Sequence, residues 1–155
     1  MKKLLLGILS AGLLCACAGV QEAQNLANCK YELRAVELTD YDITSLGFEV
    51  FIAITNLNKK KPASLKRFEG KLTANDEFMA DVTLKDIRIE PYSTKNAKAQ
   101  FTVPMSTFTK KTFGLIAMNS ATLDYHLTGT MYFEEPLGVE IPVPIEIGRY
   151  GNGRN

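Results

Sequence analysis

The sequence predicts an all-β domain, an antiparallel β-sandwich of about seven strands with one short helix. First, several runs of five to ten residues place apolar side chains at every second position, the period of a half-buried strand. Second, turn-forming residues separate these runs at short intervals. Third, helical spacing occurs only between Ser106 and Asn119. Many short strands with one short helix are typical of a sandwich.

The length and composition indicate one folded domain. Of the 155 residues, 46% are hydrophobic and 23% are charged, which is enough apolar material for a core. Eighteen Lys and Arg face seventeen Asp and Glu, so the overall charge gives no indication of nucleic-acid binding. We expect a signal peptide at residues 1–16, a tether at 17–28, the domain at 29–148 and a flexible tail at 149–155.

The first residues predict export. Lys2 and Lys3 precede an apolar run, residues 4–14, of the length of a secretory signal and too short to span a bilayer, which takes about 20 residues. The following Leu14-Cys15-Ala16-Cys17 resembles the lipobox of bacterial lipoproteins. Cys15 does not fit the lipobox thiol, because Leu13 and Leu14 would fill the two small-residue positions before it.

The lipobox resemblance implies that the mature chain begins at a Cys17 carrying several acyl chains, palmitate among them. A multiply acylated cysteine holds a protein at a membrane permanently. Ala18, rather than Asp, follows Cys17, which in Gram-negative lipoproteins implies the outer membrane, facing the periplasm. The alternative is an ordinary signal peptide cleaved after Ala16 or Ala18.

Five strands are predicted before the helix. In residues 31–38 the apolar parity changes at Ala35, which indicates a bulge. The clearest strand is 48–54, and the next is 68–73. A turn at residues 74–76 leads to a strand whose apolar positions are Phe78, Ala80, Val82 and Leu84, with a second parity change at Lys85-Asp86 before Ile87 and Ile89. The fifth strand carries Ala99, Phe101 and Val103 and ends at Pro104.

Two strands are predicted after the helix. Residues 123–133 alternate an apolar face with a polar face that includes His126 and an exposed Tyr132. Residues 139–147 alternate Val and Ile with polar residues and prolines. Pro142 and Pro144 have the same parity and lack N–H groups, so one side of this strand cannot form a continuous ladder. We therefore predict an edge strand that the prolines protect against pairing with another chain.

With Cys15 removed and Cys17 acylated, Cys29 is the one remaining thiol. It is predicted to be either a buried free thiol or part of an intermolecular disulfide, and its position at the start of a strand favours burial. His126 is the single histidine of the chain, and its position on the polar face of a strand favours a solvated surface residue. Asp124, two residues away on the same face, is a candidate partner for it. No motif indicates a cofactor, a metal site or a catalytic nucleophile.

The strongest charge feature follows Asn58. Lys59, Lys60, Lys61, Lys66 and Arg67 place five cations in nine residues, a candidate contact for anionic lipid head groups or an acidic partner. A merely solvated loop is the alternative. The carboxylates Asp40, Asp42, Asp76 and Glu77 lie at turns, where turn hydrogen bonding accounts for them.

The chain resembles the late embryogenesis abundant type 2 family, whose unit is the water stress and hypersensitive response domain. The resemblance depends on the order of its motifs: the strand 48–54 running into Thr55-Asn56-Leu57-Asn58, then residues 68–72, then Pro91-Tyr92-Ser93, then the proline-containing last strand. Leu57 occupies the position where the family usually has Pro. The resemblance implies a fibronectin-type-III-like or immunoglobulin-like sandwich, a link to desiccation or other stress, and no enzyme activity.

These observations predict a monomeric, lipid-anchored protein of the cell envelope whose domain binds or protects through its surfaces. The alternative is an accessory subunit of an envelope complex that docks by a sheet edge or by the basic residues. A hydrolase is a remote third hypothesis, since no nucleophile-and-base signature is present.

Overall fold

The computed structural model describes residues 24–118, 123–134 and 138–151. The predicted signal peptide, Cys15, Cys17 and the end of the predicted tail lie outside the described residues. The strands are β1 (Lys30–Tyr41), β2 (Ser45–Thr55), β3 (Ala63–Ala74), β4 (Glu77–Ile89), β5 (Thr94–Pro104), β6 (Asp124–Glu134) and β7 (Glu140–Gly151). A 3-10 turn (Met105–Thr107) and the helix α1 (Lys110–Ala117) follow β5.

The seven strands form two antiparallel sheets, as predicted. A three-stranded sheet has the order β1-β2-β5, and a four-stranded sheet has the order β4-β3-β6-β7. β4 lies near β5 and β1 near β7, so the edges of the two sheets meet along both sides. The inner faces bury one continuous core, whose largest fully buried side chains are Phe48, Phe68, Phe133, Leu26, Ile52, Ile54, Leu65, Leu72, Ile89, Leu127, Met131 and Ile147.

The predicted edge strand is confirmed. Among the strands that the structure describes, β7 is the last of its sheet and pairs with β6 alone, with Pro142 opposite Tyr132 and Pro144 opposite Thr130. Since a proline cannot donate a ladder hydrogen bond, an edge position is where β7 can carry both prolines. The strand extends to Gly151, into the segment that the sequence places in a tail.

The bulge predicted at Ala35 is also confirmed, but β4 differs from the prediction. The β1–β2 register shifts between Leu33 and Ala35. In β4 an extra residue, Met79, stands between the partners of Leu72 and Thr73. This bulge turns Met79 into the core at 2% exposure and leaves Phe78 48% exposed, so the prediction that Phe78 faces the core is wrong.

The turns match their residues. The β3–β4 hairpin turns through Asn75 and Asp76, both with positive φ, the conformation of a type I′ turn that Asn and Asp tolerate. At the β1–β2 turn the Asp42 carboxylate accepts hydrogen bonds from the hydroxyl and N–H groups of Thr44 (2.7 and 2.6 Å) and Ser45 (2.9 and 2.8 Å). These bonds, first that of the Thr44 hydroxyl, lower the pKa of Asp42 to about 2, so it is ionised at neutral pH.

The helix forms where the sequence predicts it. The Thr109 side chain caps α1 by accepting a hydrogen bond from the Thr112 N–H (3.2 Å), and Thr112 and Ile116 are buried. Phe108, just before the cap, meets Phe48 edge to face with 6.4 Å between ring centroids. The helix, which connects β5 to β6 in the chain, therefore covers one end of the core.

The centre of the four-stranded sheet depends on two facing glycines. Gly70 of β3 pairs with Gly129 of β6, and the Phe68 ring lies over both of them on the core side. A Cβ at Gly129 would lie 2.4 Å from the Glu69 carbonyl oxygen and 2.6 Å from the ring of Phe68. Both contacts are too short for real atoms, so the ring occupies space that any side chain at this position would need.

We predict that Gly129→Ala lowers the free energy of unfolding by about 3 kcal/mol, because the added methyl group overpacks against the Phe68 ring and backbone. Urea unfolding followed by circular dichroism measures the loss. Gly148→Ala in β7 is the matched control, since no atom lies within 4 Å of its added Cβ. Equal stability of the two variants would contradict the account of the glycine pair.

Candidate functional site

Three segments meet at one end of the sandwich. The β2–β3 connection, residues 56–62, and the β4–β5 connection, residues 90–93, both lie where β1 begins. We call residues 24–29, 56–62 and 90–93 together the base, and residues 56–62 alone the lysine loop. The base holds three of the five cations that the sequence indicates as a candidate contact.

Asn56 organises the base from within. Its side chain is completely buried, and its Nδ2 atom donates to the carbonyl oxygens of Lys61 (2.9 Å), Glu90 (3.2 Å) and Ile89 (3.3 Å). Its Oδ1 atom accepts from the Asn58 N–H (3.0 Å). One buried amide therefore joins both ends of the lysine loop to the end of β4, and the amide's own donor and acceptor atoms are hydrogen-bonded.

The two connections are also joined by their main chains. The Tyr92 N–H donates to the Asn58 carbonyl, and the Asn56 N–H to the Ser93 carbonyl, both at 2.8 Å. Within the lysine loop, the Asn58 side-chain oxygen accepts from the N–H groups of Lys60 (2.9 Å) and Lys61 (3.0 Å). Such Asx turns hold a short loop in one conformation.

The N-terminal segment is attached to the same loop. Residues 24–27 are helical, Leu26 is fully buried in the core, and the Asn25 side chain donates to the carbonyls of Pro62 (2.8 Å) and Lys61 (3.3 Å). The Tyr31 hydroxyl donates to the Leu26 carbonyl. Residues 24–28, which the sequence assigns to a tether, therefore pack on the domain and position the chain that leads back towards Cys17.

The surface of the base is cationic with two apolar groups. Lys59, Lys60 and Lys61 are exposed. Leu57 is 55% exposed and Tyr92 is 69% exposed. The Lys59 ammonium lies 5.6 Å from the centre of the Tyr92 ring, within the range of a cation–π contact. Leu57 and Tyr92 therefore present apolar surface to solvent beside the lysines.

Lys66 and Arg67, the other two cations of the sequence-based site, do not join this surface. Both lie in β3, and Lys66 pairs with Asp86 at 3.3 Å. Arg67 lies 4.1 Å above the ring of Tyr132, binds Glu69, and contacts Glu140 at 2.6 Å. The hydrogen bond with Glu140 raises the pKa of Arg67. Tyr132 is accordingly half-buried, and the prediction that it is exposed is wrong.

Cys29 is a buried free thiol, the alternative that its position favours. It is 8% exposed, and its Sγ atom donates to the Asn25 carbonyl at 3.3 Å. Burial raises the pKa of the thiol, while a hydrogen bond with Tyr31 partly opposes the increase. A protonated, buried thiol is a poor nucleophile. Cys29 therefore has a structural role where the N-terminal segment meets β1.

His126 of β6 pairs with a residue of the neighbouring strand β7. Its Nε2 atom lies 2.8 Å from the Glu146 carboxylate of β7. Among residues 24–118, 123–134 and 138–151, no three His, Cys, Asp or Glu side chains converge as a metal site. In the same ranges, no helix is long and apolar enough to cross a membrane.

Comparisons with known proteins show the fold. The chain is similar to an Arabidopsis thaliana protein of known solution structure, with TM-score 0.55 and 15% identity over 79% of this chain and 80% of that one. It is less similar to a candidate late embryogenesis abundant protein (TM-score 0.46, 16% identity, 94% and 84% covered) and to an Archaeoglobus fulgidus protein (TM-score 0.42, 11% identity, 80% and 100% covered). No protein-family model and no curated protein matches the chain.

The class that these data define is a β-sandwich with the fold of that Arabidopsis protein. A likeness at 15% identity establishes the fold alone.

The sequence signals that locate the base are the lysines and the Asn56 motif. Asn25 had no such signal, because a polar residue before the first strand looks the same whether it is solvated or bound to a loop 36 residues away in the chain.

We predict that Asn56→Ala lowers the free energy of unfolding by about 2 to 3 kcal/mol, because it removes the four hydrogen bonds that this buried amide makes. Hydrogen exchange at the Asn58 and Tyr92 amides is expected to quicken more than exchange in β6. Asn96→Ala, at an exposed position of β5, is the control and is expected to change stability by less than about 0.5 kcal/mol. Unchanged exchange at both base amides would contradict this role of Asn56.

Proposed function

We propose that the protein is a lipid-anchored component of the cell envelope whose β-sandwich binds or protects through its surface and does no chemistry. The observation that carries the anchor is the sequence Leu14-Cys15-Ala16-Cys17 behind a short apolar run with a basic start. We also propose attachment to the outer membrane, facing the periplasm, because Ala18 rather than Asp follows Cys17.

The energetics of acylation support a permanent anchor. Each methylene group buried in the bilayer contributes about 0.8 kcal/mol, and one chain alone gives only reversible binding. Several chains on Cys17 therefore suffice to hold the domain without a membrane-spanning helix. The base, from which the chain leads back to Cys17, would then be the end of the domain nearest the membrane.

The polar side chains described above support a non-catalytic role. The Asp42 carboxylate accepts hydrogen bonds within a turn. Arg67 contacts Glu140 and the Tyr132 ring, and His126 contacts Glu146. Each of these groups contributes to strand pairing or loop geometry. The Cys29 thiol, with its raised pKa and buried position, is equally unsuited to attack a substrate.

The stress-related role depends on the resemblance to the late embryogenesis abundant type 2 family. The order of the motifs, from Asn56 through Tyr92 to the last strand, supports it, and the structure assigns two of them to one feature. The Asn56 amide and the Tyr92 segment form the hydrogen-bonded base. We propose that the module protects an envelope component under desiccation or osmotic stress.

We predict that the N-terminal peptide of the protein purified from membranes begins at Cys17 and carries the added mass of several acyl chains. Cys17→Ala is expected to remove the added mass and release the protein into the soluble fraction, whereas Cys15→Ala leaves both unchanged. Mass spectrometry and membrane fractionation measure the two effects. A mature chain that starts after Ala16 or Ala18 without added mass would contradict the anchor.

We predict that deletion of the gene lowers survival after drying or osmotic shock, and that the wild-type chain restores survival while Cys17→Ala does not, because protection requires attachment. Colony counts after controlled drying measure the effect. Cross-linking in native membranes tests the rival role: a single stoichiometric partner with unchanged survival would favour an accessory subunit of an envelope complex.

A further inference from the structure

We propose that the base is a membrane-contacting surface, on which Lys59, Lys60 and Lys61 bind anionic lipid head groups while Leu57 and Tyr92 enter the interface. This inference rests on the proposed anchor at Cys17 and goes beyond it, because it states which end of the domain faces the lipid and which residues touch it. It also narrows the five cations of the sequence-based site to three.

The covalent connection limits how far the base can lie from the anchor. Asn25 follows Cys17 by eight positions, so the chain between them spans at most about 28 Å. The strands are longer than that, because the 12 residues of β1 extend over about 40 Å. The anchor therefore holds the base, to which Asn25 is hydrogen-bonded, closer to the lipid than the opposite end of the sandwich.

The charge of the base suits an anionic membrane. Glu90 is the one carboxylate among residues 24–29, 56–62 and 90–93, and it is paired with Arg88 at 2.9 Å. Near-surface lysines are attracted to anionic lipids over about a Debye length, roughly 10 Å at moderate salt. The nearby Glu140 carboxylate is occupied by Arg67.

The opposite end has the reverse balance of charge, since Asp40, Asp42, Asp76 and Glu77 in its two turns outnumber Lys110 and Lys111 of α1. Its β1–β2 turn exposes Tyr41 and Ile43, which are as apolar as the groups of the base, but Asp40 and Asp42 flank them. Asp42 stays ionised because of its four hydrogen bonds. An anionic surface therefore repels this turn and attracts the base, so charge selects the same orientation as the tether.

The apolar groups of the base are held ready for an interface. Tyr92 and Leu57 project from two connections that are hydrogen-bonded to each other and to the buried Asn56 amide. Little conformational freedom is lost when such a surface binds, so more of the contact energy remains as affinity. Tyrosine rings and lysine side chains both favour the head-group level, with the apolar part inward and the polar tip in water.

A single-tryptophan experiment tests the contact, because the chain contains no Trp. The whole protein, as purified from membranes, is reconstituted as Tyr92→Trp and, for comparison, as Tyr41→Trp into vesicles of phosphatidylcholine with or without phosphatidylglycerol. Brominated lipid quenches fluorescence at the interface. In phosphatidylglycerol vesicles we expect quenching of at least about twofold for Tyr92→Trp, since an interfacial ring lies within reach of the lipid, and little for Tyr41→Trp.

The lysines are tested in the same background. Lys59→Gln/Lys60→Gln/Lys61→Gln is expected to abolish the part of the quenching that depends on phosphatidylglycerol, as does raising the salt from about 0.05 to about 0.5 M. Lys110→Gln/Lys111→Gln, which changes the exposed start of α1, is the matched control and is expected to leave the quenching intact. Unchanged unfolding midpoints confirm that the variants are folded.

The outcomes distinguish failure of the base contact from failure of the lipid anchor. Equal quenching of Tyr92→Trp and Tyr41→Trp, or quenching that ignores lipid charge and the three lysines, overturns the base contact, and an acidic protein partner becomes the better explanation of the lysine loop. If the acyl mass on Cys17 is present without quenching, the base contact alone fails. If the mass is absent but charge-dependent quenching of added vesicles persists, the anchor alone fails. If both are absent, both fail.

Discussion

The packing of two sheets through their inner faces is the constraint on which the rest of the domain depends. Phe68 lies across Gly70 and Gly129 at the centre of the larger sheet, so the strands there carry no side chains that would hold the sheets apart. The buried residues form one continuous core, to which both the N-terminal segment (Leu26) and the last strand (Ile147) contribute. Because the strands run between the two ends of the sandwich, the connections in the described part of the chain lie at an end, and function that depends on loops is placed there.

At one of these ends, buried polar groups rather than apolar ones determine the geometry. A buried amide is stable only when its polar atoms are hydrogen-bonded, so the Asn56 amide, which donates to three carbonyls, fixes the lysine loop against β4. Asn25 repeats the arrangement from the N-terminal side. The two asparagines together join the entry of the chain to a cationic loop, which gives the domain a defined orientation relative to whatever holds its N terminus.

The proposals therefore describe a protein that acts through position and surface. The anchor is a matter of covalent chemistry at Cys17, the protective role comes from a family resemblance, and the membrane contact comes from the geometry of the base. The first two depend on different observations, and the third adds the geometry of the base to the proposed anchor. The paired states of Arg67, His126 and Asp42 fit the same view, since their interactions are used to hold strands and turns together.

The sequence by itself determined the elements: the seven strands, the short helix, the bulge at Ala35, the β3–β4 turn and the edge position of the proline-bearing strand. Each is encoded locally, by side-chain period, turn residues or a missing N–H. Only the tertiary structure decided that Met79 replaces Phe78 in the core, that residues 24–28 pack on the domain, and that Lys66 and Arg67 separate from Lys59, Lys60 and Lys61. These outcomes depend on partners distant in the chain, whose positions no local pattern contains.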